Sequence, residues 1–237
     1  MNAENHLTDQ KHMVPDLVIL DFDGVVADSE IISLSTLQSA LCAYGVDLQL
    51  KEVRRRYLGK SIKQIKRDAQ AQRPDANWDG FDEYWNTILF ERFRHDLAPL
   101  PGLVSLLDRI EACGLSYCIA SSSGFERIGV ALGAMGLAAR FSHVFSAEQV
   151  SYGKPAPDLF LHAAKTIGVP PERCLVLEDS PYGIKAAKSA GMQAFGFVGG
   201  AHLEDIRADH SDLLLLQGAH DVVEHLSEIT FDWMSAR

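Results

Sequence analysis

The chain has 237 residues, of which 47% are hydrophobic and 23% charged, and a formal net charge of −10. This composition suits a water-soluble globular protein: one large domain, or a core domain with a smaller insertion. The negative balance argues against general nucleic-acid binding, and no stretch approaches the ~20 consecutive apolar residues of a membrane span.

Residues 1–15 are polar and lack the apolar core of a signal peptide, which predicts a frayed leader on a cytoplasmic protein. Residues 17–22 are an apolar run that predicts a strand buried on both faces, as in a parallel sheet. Helical spacing follows over 30–44, ending at Gly45, and again over 51–58, 61–72 and 78–95. No strand signal interrupts this stretch. After Pro99 the pattern alternates: helix 101–113, strand 115–120, helix 125–135, strand 143–145, helix 158–167, strand 174–177, helix 182–190 and strand 193–198. An edge strand at 213–216 and a last helix at 221–229 complete the reading. The alternation predicts an α/β fold with a doubly wound parallel sheet. The core is expected over 16–29 and 98–237, with an inserted α-helical cap over 30–97 hinged near 28–33 and 95–99.

In such sheets ligands bind at the carboxyl ends of the strands, so the polar residues there carry the functional information. The first strand end supplies Asp21 and Asp23, followed at once by Gly24. Residues i and i+2 of a strand point to the same side, so the two carboxylates are expected to converge. Such a pair calls for a shared proton or a divalent cation. The second strand end supplies Ser121, Ser122 and Ser123 with Gly124; the third is followed by Gly153-Lys154-Pro155, and the fourth by Glu178-Asp179-Ser180. Each motif alone is common. Together, at four successive strand ends, they suit a magnesium ion and a phosphoryl group, because hard oxygen ligands favour Mg²⁺ and serines at a helix start cradle an oxyanion.

These motifs resemble those of the haloacid dehalogenase-like superfamily, in particular its sugar-phosphatase and β-phosphoglucomutase-like branch with a helical cap after the first strand. The resemblance runs over about residues 15–200 and includes the segment Lys154-Pro155-Ala156-Pro157-Asp158-Leu159-Phe160. It implies that Asp21 is the nucleophile that forms an aspartyl-phosphate. Asp23 is then the general acid and base, its backbone carbonyl also serving the metal. By the same resemblance Ser121, Ser122 and Lys154 bind phosphate, and Asp21, Asp23, Glu178 and Asp179 hold Mg²⁺. A dehalogenase needs neither Asp23 nor the metal acids, which argues against that activity here.

The mutases of the branch carry a hinge histidine where this chain has Ser33, and an arginine near the 59–61 turn where it has Ile62. Hydrolysis is therefore expected over phosphoryl transfer between positions of a sugar, with Lys60 or Lys63 as partial substitutes in the cap. Loss of a catalytic carboxylate would signal a non-catalytic binding protein, and none is lost. Nine basic residues against two acids over 51–73 make that segment +7 and leave −17 elsewhere; it reads either as a solvated helical face or as a surface facing an anionic or strongly polar leaving group such as a sugar acid. The partner expected is a small phosphate ester, for a monomeric enzyme.

The remaining polar residues read as structural. Cys42, Cys113, Cys118 and Cys174 are expected to be reduced and buried. His143, His162, His202, His210 and His220 are expected at the surface or in packing, and Arg127 in a surface ion pair. Trp78, Tyr84 and Trp85 are expected in the core of the cap.

Overall fold

The structure, a computed structural model, describes residues 15–58, 60 and 62–230. The leader thus lies outside the described residues except for residue 15, as do Gly59 and Ser61 of the cap turn. Strand β1 (Leu17–Leu20) is four consecutive buried residues. Leu17 and Ile19 join one apolar cluster while Val18 and Leu20 join another, so both faces of the strand are covered.

Four helices then intervene: α1 (Glu30–Ala43), α2 (Leu50–Tyr57), α3 (Ile62–Gln72) and α4 (Phe81–Asp96). Their buried residues Leu37, Leu41, Val53, Ile65, Leu89 and Phe93 belong to the same cluster as Val18 and Leu20. The insert is thus packed on the core rather than tethered to it. Its outer part is aromatic: Tyr44 stacks on Trp78 at 5.4 Å, and Trp85 donates to Thr36 Oγ1 at 3.1 Å. Trp78 and Trp85 are buried as expected, whereas Tyr84 is exposed. The two connections into and out of the insert run side by side, with Asp28 N donating to Ala98 O and Leu100 N to Val26 O.

The chain continues through α5 (Leu103–Ala112), β2 (Ser116–Ser121), α6 (Phe125–Ala134), β3 (Val144–Ser146), α7 (Asp158–Ile167), β4 (Cys174–Glu178), α8 (Pro181–Ser189), β5 (Gln193–Phe197), α9 (Arg207–Leu216) and β6 (Asp221–Val223). The sheet order is β3-β2-β1-β4-β5-β6, and every neighbouring pair is parallel. The chain leaves β1 toward β2 and β3, then returns to add β4 on β1's other side. The crevice at the carboxyl ends of β1 and β4 is therefore the switch point of the sheet.

The end of the chain departs from expectation. Residues 213–216 close α9 instead of forming a strand, because a run of four leucines carries no period of its own. Only Leu214 of the four is buried. The edge strand is Asp221–Val223, paired with β5, and the expected last helix shrinks to the 3₁₀ turn Leu226–Glu228. All four cysteines are free, but only Cys118 and Cys174 are buried; Cys42 and Cys113 are exposed on the last turn or cap of their helices.

Candidate active site

Strand pairing ends at Leu20, and one further bond, Asp21 N to Leu177 O, carries the chain just past the sheet. The chain then turns tightly, with Val26 N and Ala27 N both donating to Phe22 O. Gly24 makes the turn possible: its φ is +84°, and a Cβ there would lie 2.0 Å from Asp179 Oδ2. The turn also separates the two acids. Because Asp23 is no longer in a strand, the same-side rule does not apply, and the expected convergence of Asp21 and Asp23 on one spot is replaced by two distinct sets of partners.

Asp21 is buried and receives a 2.5 Å ion pair from Lys154 Nζ, which also reaches Glu178 Oε2 at 2.7 Å. The lysine comes from the loop after β3, and its stem lies against Phe160, with Nζ 4.8 Å from the ring centroid. Burial pushes the Asp21 carboxyl well above its ordinary pKa; Glu178 and Asp179 add to the rise, and Lys154 opposes it. Burial likewise raises Glu178, against the pull of Lys154.

Asp23 faces donors instead. Ser29 Oγ donates to its Oδ1 at 2.5 Å, Ser123 Oγ to its Oδ2 at 2.6 Å, and Arg127 Nη2 to its Oδ1 at 2.7 Å. Burial alone would raise this carboxyl, but the Arg127 charge and the hydrogen bonds from Ser123, Ser29 and Arg127 outweigh it and hold the pKa below the ordinary value. Arg127 is therefore not in a surface pair. Its position in the first turn of α6 points it into the crevice, because the helix starts at the carboxyl end of β2. Nearby Glu30 is raised to about 7 by burial and by the charge of Asp23.

At the end of β4, Ser180 caps α8: its hydroxyl accepts from Gly183 N at 3.0 Å while donating to Glu178 Oε1 at 2.7 Å. Gly183 leaves the room that Glu178 fills, since a Cβ there would lie 2.0 Å from Glu178 Cδ. Asp179 is held by two histidines expected elsewhere. His202 Nε2 lies 3.1 Å from Asp179 Oδ2, and His210 Nε2 lies 2.7 Å from the Asp179 carbonyl oxygen. Of the other histidines expected at the surface or in packing, His143 and His162 lie against Phe145 and His220 against Phe195.

Asp21, Glu178 and Asp179 each offer a carboxylate oxygen within 4.8 Å of the others. An all-oxygen, multiply anionic set suits a hard divalent cation such as Mg²⁺. Both oxygens of Glu178 already have partners, Ser180 and Lys154, so Asp21 and Asp179 are the freer donors. The Asp23 side chain is committed to Ser29, Ser123 and Arg127.

Ser121, the last residue of β2, is buried, with its Oγ accepting from Ser123 N at 3.0 Å. It lines, with Ser122, Lys154 and the acids above, a cleft of about 630 Å³ roofed by Leu37, Tyr57, Ile65 and Trp85 of the insert. Of the two cap lysines, Lys60 lines this cleft and Lys63 does not; Lys60 Nζ is itself bound to Asp68 Oδ2 at 2.8 Å. Five others of the basic segment are held in ion pairs: Arg54 with Asp205, Arg55 and Arg56 with Glu52, Lys66 with Asp82 and Arg73 with Asp75. No helix among the described residues is long and apolar enough to cross a membrane.

Known proteins resemble this chain over most of its length. Residues 18–197 match the family model of haloacid dehalogenase-like hydrolases. The chain is 32% identical over 184 residues to a probable pseudouridine-5'-phosphatase of Drosophila melanogaster, covering 74% of this chain and 78% of that one. It is 31% identical over 188 residues to the chloroplastic protein SUPPRESSOR OF QUENCHING 1 of Arabidopsis thaliana, of whose length that match spans only 17%. Among solved structures, a HAD family hydrolase from Deinococcus radiodurans with bound phosphate and sodium superposes with a TM-score of 0.73 at 29% identity, over 90% of this chain and 92% of that one.

Proposed function

The chain belongs to the haloacid dehalogenase-like hydrolases, and we propose that, as a phosphoric monoester hydrolase of that family, it cleaves a small phosphorylated metabolite with Mg²⁺ through an aspartyl-phosphate on Asp21. The observation that carries this reading is the buried set Asp21–Lys154–Glu178–Asp179, drawn from three strand ends into one crevice. Asp21 is in reach of a phosphoryl group seated on Ser121, Ser122 and Lys154. Asp21 Oδ attacks phosphorus, the ester P–O bond breaks, and the departing oxygen takes a proton from Asp23, which enters the reaction protonated because the bound phosphoryl charge offsets the pull of Arg127. Water then attacks the aspartyl-phosphate, giving a proton to Asp23; the bond to Asp21 breaks and inorganic phosphate leaves. The net change is ester plus water to alcohol plus phosphate.

Asp21, Asp179 and the Asp23 carbonyl would hold Mg²⁺, with Glu178 beside them, and the ion would supply charge neutralisation for the phosphoryl oxygens. Lys154 adds a fixed positive charge next to Asp21, so nucleophile and phosphate can approach without repulsion. Ser33, in place of the hinge histidine, favours hydrolysis over mutase chemistry.

The cleft supports a neutral, hydroxyl-bearing leaving group rather than the anionic one that the +7 segment suggests. Of that segment's basic residues, only Lys60 lines it among the described residues, tied to Asp68, while Glu30, Glu126 and Glu148 also line it. A phosphate-release screen over sugar phosphates, sugar-acid phosphates and nucleotides, with and without Mg²⁺, tests the whole reading. Turnover of neutral sugar phosphates that chelation abolishes is expected; preference for the sugar acids would overturn the substrate class, and no turnover at all would overturn the enzyme.

A further inference from the structure

Four side chains close a polar ring at the junction of core and insert. Ser29 Oγ donates to Asp23; Ser33 Oγ donates to Ser29 O at 2.8 Å; Arg127 Nη2 donates to Ser33 Oγ at 2.8 Å and to Asp23 Oδ1 at 2.7 Å. Ser29 and Ser33 open helix α1 of the insert, whereas Arg127 belongs to α6 of the core. The Arg127 guanidinium also sits 5.5 Å from the ring centroid of Phe93, on α4 of the insert. One arginine therefore touches the core acid, the first helix of the insert and the last. Its Nε is buried without a partner, so the guanidinium is placed for Asp23 and Ser33 rather than for its own full satisfaction.

An ordinary buried ion pair would need only Asp23 and Arg127. The added bond to Ser33 and the contact with Phe93 make the direction of the Asp23 carboxylate depend on where α1 and α4 sit against α6. We propose that Arg127 is a positioning residue: it couples the seating of the helical insert to the aim of the Asp23 carboxylate at the departing oxygen. The proposal rests on the reading of Asp23 given above. Arg127 itself touches no reacting atom; it acts through Asp23.

Aim matters most when the leaving group needs a proton. Substituted phenyl phosphates of graded leaving-group basicity, from p-nitrophenyl to phenyl phosphate, test this with substrates of nearly one shape. The parameter to follow is kcat/KM, which reports the steps up to ester cleavage and omits the later attack of water. Arg127→Met keeps an apolar stem over Phe93 and removes the fork; Arg127→Lys keeps the charge; Ser33→Ala cuts the hydrogen bond to α1 and leaves the contact with Phe93.

For Arg127→Met the kcat/KM ratio of p-nitrophenyl to phenyl phosphate should rise tenfold or more over wild type, within the range that proton transfer contributes. Ser33→Ala should shift it in the same direction by less, Arg127→Lys should fall between Arg127→Met and wild type, and KM should stay nearly constant. An equal loss on both esters, with the thermal melt lowered, would make Arg127 merely structural and overturn the proposal. A rise in KM with kcat retained would make it a substrate contact and overturn it too. If Arg127→Met fails to fold, an unchanged ratio in Ser33→Ala still overturns it. Wild type that hydrolyses none of the esters would overturn the phosphatase reading, and with it this one.

Discussion

Asp21 and Asp23 are two residues apart in one loop and differ in almost every physical respect. Asp21 sits among other buried acids with one cation, Lys154, and its pKa is raised. Asp23 sits among two hydroxyls and a guanidinium, and its pKa is lowered. The turn at Gly24 lets each carboxylate have its own cation, so the pair avoids the mutual repulsion that a shared strand face would impose. Chemically, the crowded acid suits a role on phosphorus and metal, and the donor-rich acid a role with protons whose delivery depends on its aim. The difference lies in the surroundings, since the side chains are the same.

The largest test of this contrast is Asp21→Asn, which should lower Mg²⁺-dependent phosphate release about 10⁴-fold or more with the circular dichroism unchanged. Residual turnover near wild type would mean the two acids have exchanged roles. Lys154→Met comes next. It should cost about 10²–10³-fold in kcat, as loss of one preorganised charge contact does. Metal-free urea unfolding should show about 3 kcal/mol less stability, because Asp21 and Glu178 are left buried without their cation.

Asp23→Asn sharpens the comparison through pH. A lowered carboxyl contributes stability that is present above its ordinary pKa and lost as pH falls through the lowered one. The variant should therefore be less stable than wild type at pH 7, by about 2 kcal/mol with Arg127 unpaired, and should converge with it in acid. Asp21 has the opposite sign: a raised carboxyl contributes stability present below 3.8 and lost as pH rises, so Asp21→Asn gains on wild type with rising pH. Unfolding series in which both variants shift the same way would sink the contrast. Glu30, raised to about 7, has the same sign as Asp21. Its contribution is full below 4.5 and lost between 4.5 and about 7, so Glu30→Gln should gain up to about 3 kcal/mol on wild type between those limits.

Much of the site is legible without coordinates, because apolar runs ending in Asp, Ser, Lys-Pro and Glu-Asp mark strand ends, and parallel sheets gather their strand ends on one edge. Asp21, Ser121, Lys154, Glu178 and Asp179 all meet in the crevice. The partners of Ser33, Ser123, Arg127, His202 and His210 were hidden for a shared reason: they lie far away in sequence. Arg127 is 104 residues from Asp23, and His210 is 31 from Asp179. A helix period could have flagged Arg127, the third residue after Gly124 at a strand end, as facing the crevice. Nothing local marks the two histidines.

The basic segment shows the same boundary from the other side. Its charge is plain in composition, but where that charge is spent is not: Arg54, Lys66 and Arg73 are paired with Asp205, Asp82 and Asp75, all outside the segment. By itself the sequence determined the α/β class, the helical insert after the first strand and the acids and lysine that meet in the crevice, since these follow from periodicity and from short motifs at strand ends. Only the tertiary structure decided which cation each acid faces, which histidines hold Asp179 and where the cap charges point. Those depend on distances between side chains that the chain brings together only when it folds.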